Sequence, residues 1–239
     1  MALFLNLDVR RKVQSGLARF FPPGRRPHGP EARSYLKKTH IEATKMDLLT
    51  AIEKRRTIRR FIAPPTAEQL ERVLEAGAKA PSASNKQAWF VVVITEKETI
   101  QRFGKIKKRI LKNYFPDTEE GRAILQKQED AFNNCTTVMV YSYAEEKRDP
   151  HRYDMGSAWL FVENLCLAAL EENLGTQIVA FWEDGEEEID EMLGVPSKYR
   201  QCTSVNIGVP DPSYEPPEKV LKPKSKWVFR EKWKEQTKE

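Results

Sequence analysis

From about residue 46 onward, the chain alternates between segments with a helical spacing of apolar residues and short, wholly apolar runs. The segments with helical spacing are residues 48–55, 66–78, 97–133, 154–174 and 186–193. Pro116 interrupts the longest of them. The patterns Thr44-x-x-Asp47 and Thr66-x-x-Gln69 are capping boxes, and they predict where the first two helices begin.

The apolar runs between these helices predict buried strands at 89–95, 136–142, 177–182 and 203–209. The helix over 154–174, which Asp154 caps and Gly175 ends, is apolar on nearly all sides, so we expect it at the centre of the fold. Together the elements predict an α+β domain in which helices sandwich a mixed sheet of four or five strands.

The C-terminal segment from Pro210 is rich in proline and lysine and contains one strand-like run, Trp227-Val228-Phe229. It is too long to be a simple loop inside a compact domain. We therefore expect it to wrap around a second copy of the chain and to add its last strand there. This predicts a homodimer with exchanged C-terminal extensions.

The positive charge is concentrated near the N-terminus. Residues 1–45 hold ten Lys or Arg and three Asp or Glu, a net of +7, which leaves −2 for residues 46–239 because the whole chain carries +5. A nucleic-acid-binding domain would carry a basic face on its folded body, so we expect no nucleic-acid partner. No apolar run approaches the ~18 residues of a membrane-spanning helix.

We divide the chain into a basic N-terminal extension, residues 1–45, and a folded domain, residues 46–239. The extension has an amphipathic helical pattern over 9–21 followed by a proline-rich break. This pattern fits contact with an anionic membrane surface, organelle targeting, docking on a partner, or a segment without fixed structure. Met46 is a candidate internal start site.

The three cysteines favour a reducing compartment and no metal. Cys135, Cys166 and Cys202 are far apart and lack the spacing of a metal site. Three cysteines cannot all pair within one chain, so we expect a cytoplasmic protein, with organelle or membrane-peripheral placement through the extension as the alternative. Cys166 is expected to be a small buried apolar residue.

Two segments carry candidate chemistry. The arginine loop, residues 55–59, reads Arg-Arg-Thr-Ile-Arg between a helix end and an extended segment, and its guanidinium forks and hydroxyl suit a phosphate group. Taken alone, the run is better explained as the basic last turn of a helix. The polar turn, residues 81–87, reads Pro-Ser-Ala-Ser-Asn-Lys-Gln and offers hydroxyls and amides to a polar ligand, although turn formation alone also uses such residues.

Taken together, the two segments and the apolar strand after them resemble the nitroreductase family of FMN-dependent NAD(P)H oxidoreductases. The family's first helix ends in Arg-Arg-Ser-x-Arg-x-Phe, where this chain has Arg55-Arg56-Thr57-Ile58-Arg59-Arg60-Phe61. The family continues with Ala-Pro-Ser-x-x-Asn-x-Gln-Pro-Trp, where this chain has Ala80-Pro81-Ser82-Ala83-Ser84-Asn85-Lys86-Gln87-Ala88-Trp89. The central helix is also similar, and the likeness covers about residues 46–230.

The resemblance implies an FMN site built from four segments. The arginine loop holds the phosphate and ring edges, the polar turn reaches the same flavin from the partner subunit, residues 178–180 lie beside the isoalloxazine, and residues 222–224 supply basic groups to the phosphate. The implied cofactor-binding residues are Arg55, Arg56, Thr57, Arg59, Pro81, Ser82, Ala83, Asn85, Gln87, Ile178, Val179, Ala180, Lys222 and Lys224. We name no catalytic acid or base, because the flavin performs the chemistry.

The chain departs from the family pattern at three places. Thr57 stands where Ser is usual, Ala88 stands where Pro is usual, and the tail has lysines where arginine is common. Elsewhere, Tyr114 and Phe115 suit either a substrate lid or a packing patch. Glu163 and Asn164 suit either a buried hydrogen-bonded pair or a place near the flavin.

The sequence therefore predicts a homodimeric FMN oxidoreductase that takes hydride from NADH or NADPH and passes reducing equivalents to a small-molecule acceptor, such as a nitroaromatic or a quinone, by a ping-pong mechanism. The alternatives are a specialised relative, namely a reductive dehalogenase or an enone reductase, and a non-catalytic flavin-binding or partner-docking protein. No GxGxxG or GxxxxGK[ST] pattern supports another phosphate-binding fold.

Overall fold

The computed structural model describes residues 46–143 and 151–233. A boundary between Lys45 and Met46 divides the chain into two units, and every described residue belongs to the second. The expectations for residues 1–45, including Thr44 as a cap, lie outside the described residues.

The described residues contain six α-helices at the positions that the apolar spacing predicts. They are α1 Leu48–Lys54, α2 Ala67–Gly77, α3 Lys97–Leu111, α4 Glu119–Asp130, α5 His151–Glu171 and α6 Asp184–Leu193. Thr66 and Gln69 form the predicted capping box on α2, and Gly194 ends α6 with φ 65°. Two boundaries differ from the sequence prediction. Asp47 itself caps α1, and α5 begins at His151, so Asp154 lies within the helix and does not cap it.

Five strands form one sheet. They are β1 Phe61–Ala63, β2 Trp89–Ile94, β3 Thr136–Tyr143, β4 Gly175–Val179 and β5 Tyr199–Pro210. The long strand β5 pairs with β1, β3 and β4, and β3 pairs in turn with β2. All four strand pairs are antiparallel, so the described sheet is antiparallel and not mixed as predicted. One isolated parallel bridge, outside these strand pairs, joins Thr57 and Thr176.

The helices sandwich the sheet, as predicted. Side chains along β3 alternate between two apolar clusters, because successive residues of a strand point to opposite faces. Val138 and Val140 pack with α2 and α5, whereas Met139 and Tyr141 pack with α3 and α6. The central helix α5 contributes six fully buried apolar residues to the first cluster, which confirms its predicted place in the core.

One strand prediction was wrong in part. In the described part of the chain β2 pairs only with β3 and forms an edge of the sheet, and Phe90, Val91 and Val93 are 45%, 38% and 37% exposed. An apolar run does not distinguish an edge strand from a buried one. Residues 227–229 follow a short 3-10 turn, Lys224–Lys226, and form no strand in this chain. Their pairing with a second chain stays a prediction.

Candidate active site

The arginine loop lies beside the start of β4. Arg55 leaves α1 with extended backbone. Thr57 then forms a parallel bridge with Thr176, and the N–H of Ile58 donates a 2.9 Å hydrogen bond to the carbonyl of Thr176. This close approach requires glycine at position 175, because a Cβ atom on Gly175 would lie 2.7 Å from Cγ1 of Ile58.

The loop faces the C-terminal tail across an open cleft of about 200 Å³, which we call the arginine cleft. Its lining residues are Arg55, Arg56, Thr57, Arg59, Pro216, Pro217, Glu218 and Lys219. Four cationic side chains therefore surround the cleft with one carboxylate, that of Glu218. Guanidinium and ammonium groups around a shared space fit a phosphate group, to which they donate charge-assisted hydrogen bonds.

Arg60 lies outside this set although it continues the same basic run. Its guanidinium is 3.9 Å from the carboxylate of Asp211, and its carbonyl accepts a 3.0 Å hydrogen bond from the N–H of Asp211. Arg60 therefore joins the loop to the end of β5.

The strand end at residues 178–180 has one buried residue between two exposed ones. Val179 is 4% exposed, whereas Ile178 is 38% exposed and Ala180 is also exposed. The carbonyl of Val179 accepts hydrogen bonds from the hydroxyls of Thr203, at 3.1 Å, and Ser204, at 2.9 Å. These bonds fix the backbone of the strand end from inside the fold.

The polar turn has an uncommon backbone conformation. Ser84, Asn85 and Gln87 have φ of 52°, 54° and 51°, the left-handed region that favours glycine. The hydroxyl of Ser82 accepts a 3.0 Å hydrogen bond from the N–H of Gln87, and the side chain of Gln87 donates to that of Asn85 at 3.1 Å. Non-glycine residues in this region cost free energy and concentrate at functional sites.

In a single chain the polar turn and the arginine cleft lie at different places along α5. The N–H of Ala83 donates to the hydroxyl of Ser157, at 3.3 Å. The arginine loop instead pairs with Thr176, five residues after α5 ends at Glu171. Fourteen residues of helix, about 21 Å, separate Ser157 from Glu171. No residue of the turn is among those that line the arginine cleft.

The tail residues Lys222 and Lys224 do not line the cleft, whereas Lys219 does. Both predicted lysines are exposed. The carbonyl of Lys222 accepts a 3.2 Å hydrogen bond from the indole of Trp227, and Lys224 opens the 3-10 turn. The sequence analysis did not predict Lys219. The preceding Pro216-Pro217 pair was the available signal, because two prolines restrict the backbone at this place in the tail.

Lys107 on α3 is a second residue that the sequence analysis missed. It is 7% exposed, and its ammonium group donates a 2.7 Å hydrogen bond to the carbonyl of Ala180. The ammonium nitrogen lies 3.8 Å from the ring centre of Trp182. Burial lowers the pKa of Lys107 to about 8. The signal was present in the sequence, because position 107 shares a helix face with the apolar Phe103 and Ile110.

The contacts of the other candidate residues, Tyr114, Glu163, Asn164 and Cys166, are as follows. The hydroxyl of Tyr114 donates to Glu183 at 3.1 Å. Glu163 is exposed, so it forms no buried pair with Asn164, whose amide donates a 3.4 Å hydrogen bond to the carbonyl of Ala76. Cys166 is fully buried, as predicted.

The described residues contain neither a metal-binding cluster nor a membrane-spanning helix. No cluster of three or more His, Cys, Asp or Glu residues there could hold a metal ion. No helix in residues 46–143 or 151–233 has the length and apolar character needed to cross a bilayer.

The chain is an α+β protein with a basic cleft beside the start of β4, and the residues that line this cleft suit a phosphate group. Comparison with known proteins identifies the family. The nitroreductase family model matches residues 52–209, more than half of the chain, so the chain belongs to the nitroreductase family and is an oxidoreductase. This confirms the resemblance found in the sequence.

Individual relatives agree at lower identity. The iodotyrosine deiodinase of Thermotoga neapolitana is 27% identical over 168 residues, which cover 66% of this chain and 86% of that protein. YdjA of Escherichia coli K12, whose name places it with the NAD(P)H nitroreductases, is 28% identical over 188 residues, 70% of this chain and 97% of YdjA. The crystal structure of a Desulfitobacterium hafniense nitroreductase with bound FMN superposes with a TM-score of 0.59 at 24% identity, covering 76% of this chain and 96% of that one.

Proposed function

We propose that this protein is an FMN-dependent oxidoreductase that takes reducing equivalents from NADH or NADPH and passes them to an oxidised organic acceptor, such as a nitroaromatic or a quinone. The observation that carries the proposal is the arginine cleft, which the fold builds directly against β4. The FMN bound by the Desulfitobacterium hafniense nitroreductase, a protein of the same fold, supports the choice of cofactor.

The cleft would hold the phosphate of FMN. Its arginines offer planar forks that match phosphate oxygens, and the hydroxyl of Thr57 adds a donor between them. Lys222 and Lys224 follow Lys219 by three and five residues, a reach of roughly 10 and 17 Å for extended chain. We assign them to the same phosphate, with Lys219 as the tail residue already in place.

The strand end at residues 178–180 would lie along the flavin ring. Ile178 and Ala180 present a small apolar surface, and the hydrogen bonds to the Val179 carbonyl hold that surface in a fixed place. A fixed wall of this kind orients a flat ring and excludes water from it.

The polar turn would reach the ring from a second copy of the chain. Trp159 and Leu160 on α5 are 42% and 47% exposed and lie between Ser157, which contacts the turn, and the C-terminal end of this helix. Tyr153, one helical turn before Ser157, is 55% exposed. Large apolar side chains exposed together mark a surface that another protein covers. We propose that this partner is a second, identical subunit, whose polar turn (Pro81, Ser82, Ala83, Asn85 and Gln87) completes the site.

The proposed reaction has two half-reactions at one place, which is the ping-pong mechanism. With FMN held by the arginine cleft and the partner's polar turn, the cofactor would store a hydride, two electrons and one proton, from the nicotinamide donor, which would leave oxidised. A quinone would then receive those two electrons and that proton, together with a second proton from solvent, and would leave as the hydroquinone. The chain's residues bind, orient and exclude water. FMN supplies the electron-transfer chemistry.

The absorption spectrum of the purified full-length protein tests the proposal. We expect bound FMN, bleaching of its visible absorbance by NADH or NADPH without oxygen, and recovery when a quinone or nitroaromatic is added. Parallel double-reciprocal plots would support the ping-pong order. Protein that binds no FMN would exclude the proposal, and FMN that neither nucleotide reduces would favour the non-catalytic binding protein.

Reductive dehalogenation is the second candidate, because the iodotyrosine deiodinase of Thermotoga neapolitana is a relative over most of its length. In that reaction a carbon–iodine bond is replaced by a carbon–hydrogen bond, two electrons and one proton are consumed, and iodide leaves. We would add an iodinated phenol to the reduced protein and measure iodide. Iodide release faster than quinone reduction would favour this candidate, and absence of iodide would exclude it.

A further inference from the structure

Lys107 carries a buried positive charge without a counter-ion. Its neighbours on α3 are paired, Lys108 with Glu129 at 2.7 Å and Arg109 with Glu188 at 2.7 Å. Within the described residues no carboxylate forms an ion pair with Lys107. An ammonium group that loses its hydration without gaining a counter-charge destabilises the fold. The charge nevertheless persists at pH 7, because the lowered pKa of about 8 is still above that pH.

The contacts of Lys107 converge on the segment that follows β4. Its ammonium group holds the carbonyl of Ala180 and lies over the indole of Trp182, with the ring of Phe181 5.9 Å away. A carbonyl dipole and the face of an aromatic ring both attract a cation. They replace part of the lost hydration and leave the net charge in place.

The same segment has strained backbone. Glu183 has φ 56° and ψ −142°, close to a region that glycine alone populates readily. Its side chain accepts the hydrogen bond from Tyr114, whose ring meets that of Trp182 at 5.8 Å. The indole N–H of Trp182 is buried and has no acceptor among the described residues. The four-residue segment 180–183 that Lys107 contacts therefore holds both a strained residue, Glu183, and a buried donor without an acceptor, the indole N–H of Trp182.

We propose that Lys107 is a positioning residue of the cofactor site: from inside the fold it holds the Ala180 carbonyl and places a positive charge behind the strand end assigned to the flavin, where the charge favours the reduced cofactor over the oxidised one. This inference rests on the proposed function. Uptake of a hydride adds negative charge to the ring, and a fixed positive charge in a water-poor site stabilises that added charge. The negative charge of the reduced cofactor would also supply the counter-charge that Lys107 lacks in the described chain.

The substitutions Lys107→Gln and Lys107→Arg test it, because both keep a donor for the Ala180 carbonyl and only one keeps the charge. We would measure the midpoint potential of the bound FMN against reference dyes, the affinity of the apoprotein for oxidised FMN, and the melting temperature of the apoprotein. Lys108→Gln is the matched control, since it removes one positive charge from the adjacent position, where Lys108 pairs with Glu129 on α4.

We expect Lys107→Gln to weaken the binding of reduced FMN about tenfold relative to oxidised FMN, which lowers the two-electron potential by about 30 mV. Lys107→Arg and Lys108→Gln should leave the potential within experimental error. Equal weakening of both redox forms in Lys107→Gln, or a shift in Lys107→Arg of the same size, would overturn the proposal. So would failure of both Lys107 variants to fold, since Lys107 would then act through the fold.

Failure of the proposed function has a different signature. In that case the unsubstituted protein would bind no FMN, and the potential could not be measured for any variant. If the unsubstituted protein binds FMN and is reduced by NAD(P)H while Lys107→Gln has the same potential, the function stands and only the role of Lys107 is rejected.

Discussion

A 2.9 Å hydrogen bond from the N–H of Ile58 to the carbonyl of Thr176 joins the arginine loop to the start of β4. The same strand ends at the residues assigned to the flavin ring. Four residues of strand, roughly 13 Å, separate Thr176 from Ala180. One strand therefore fixes the distance between the phosphate end and the ring end of the proposed site. We expect a substitution that displaces either end of β4 to weaken FMN binding.

Gly175→Ala should disturb this connection. The new Cβ atom would lie 2.7 Å from Cγ1 and 2.8 Å from Cβ of Ile58, and a β-branched side chain has little freedom to move away. We expect a loss of about 1–3 kcal/mol in the free energy of unfolding and weaker FMN binding, measured by denaturant unfolding and by FMN titration of the apoprotein.

Gly156→Ala is the matched control for that change. A Cβ atom on Gly156 meets no atom within 4 Å, and alanine in a helix is favoured over glycine by about 0.5–1 kcal/mol. The control should be at least as stable as the unsubstituted protein. The control serves for stability. FMN binding by Gly175→Ala that equals that of the unsubstituted protein would show that the arginine loop is not positioned through β4.

Arg59→Lys should weaken FMN binding through the phosphate alone. Lysine keeps the charge but loses the two-pronged fork, and a lost hydrogen bond to a charged group costs about 1.5–3 kcal/mol, tenfold or more in affinity. Riboflavin, which lacks the phosphate, should bind as before. Arg60→Lys is the control, because Arg60 faces Asp211 and lies outside the cleft. Equal losses for FMN and riboflavin would contradict the assignment of Arg59 to the phosphate.

The sequence predicted the fold well where local chemistry sets the boundaries. The capping box at Thr66 and Gln69 and the left-handed Gly194 act within a few residues, so both positions were predictable. Which strands pair with each other depends on contacts between residues that are far apart in the sequence. The apolar run of β2 therefore predicted a strand and could not show that Phe90 and Val91 lie on an edge.

The site was predictable in its motifs and not in its assembly. The arginine loop has a recognisable pattern, but its contact with Lys219 depends on the path of a proline-rich tail that has no periodic signal. The sequence did not single out Lys107 as a site residue, because the surrounding helix is rich in charged residues and charged residues usually face solvent. The helical spacing puts Lys107 on the face of Phe103 and Ile110, and the packing of α3 against the strand end shows that its ammonium group is buried there.

Leu160→Asp tests the proposed second subunit. Leu160 is 47% exposed in the single chain, so a carboxylate there leaves the fold intact but destabilises an apolar interface. We expect light scattering to show dimers for the unsubstituted protein and monomers for the variant, with weaker FMN binding because the partner's polar turn is lost. Ile124→Asp on α4 is the control, since Ile124 is 38% exposed and lies on another helix. A monomeric unsubstituted protein with tightly bound FMN would contradict the shared site.

The pair of Tyr141 and Asp190 predicts a pH dependence of stability that is independent of the cofactor. The hydroxyl of Tyr141 donates a 3.0 Å hydrogen bond to Asp190. Burial raises the pKa of Asp190, and the hydrogen bond opposes this only in part. Burial also raises the pKa of Glu186, and the charge of Asp190 raises it further. A raised pKa in the folded state means that the protonated form of each carboxyl is favoured by the fold, so this contribution is present at acid pH and is lost as the pH rises through the folded pKa.

Asp190→Asn removes that charge and keeps an oxygen that accepts from Tyr141. We therefore expect the variant to be more stable than the unsubstituted protein at pH 7, with the difference shrinking as the pH falls and Asp190 becomes protonated. Urea unfolding at pH 7 and pH 4 measures this. Asp184→Asn is the control, because Asp184 is exposed and pairs with Arg109 at 3.2 Å, so its replacement should bring no gain at either pH. A stability difference between Asp190→Asn and the unsubstituted protein that stays constant with pH would show that the carboxylate of Asp190 is not the group that burial destabilises.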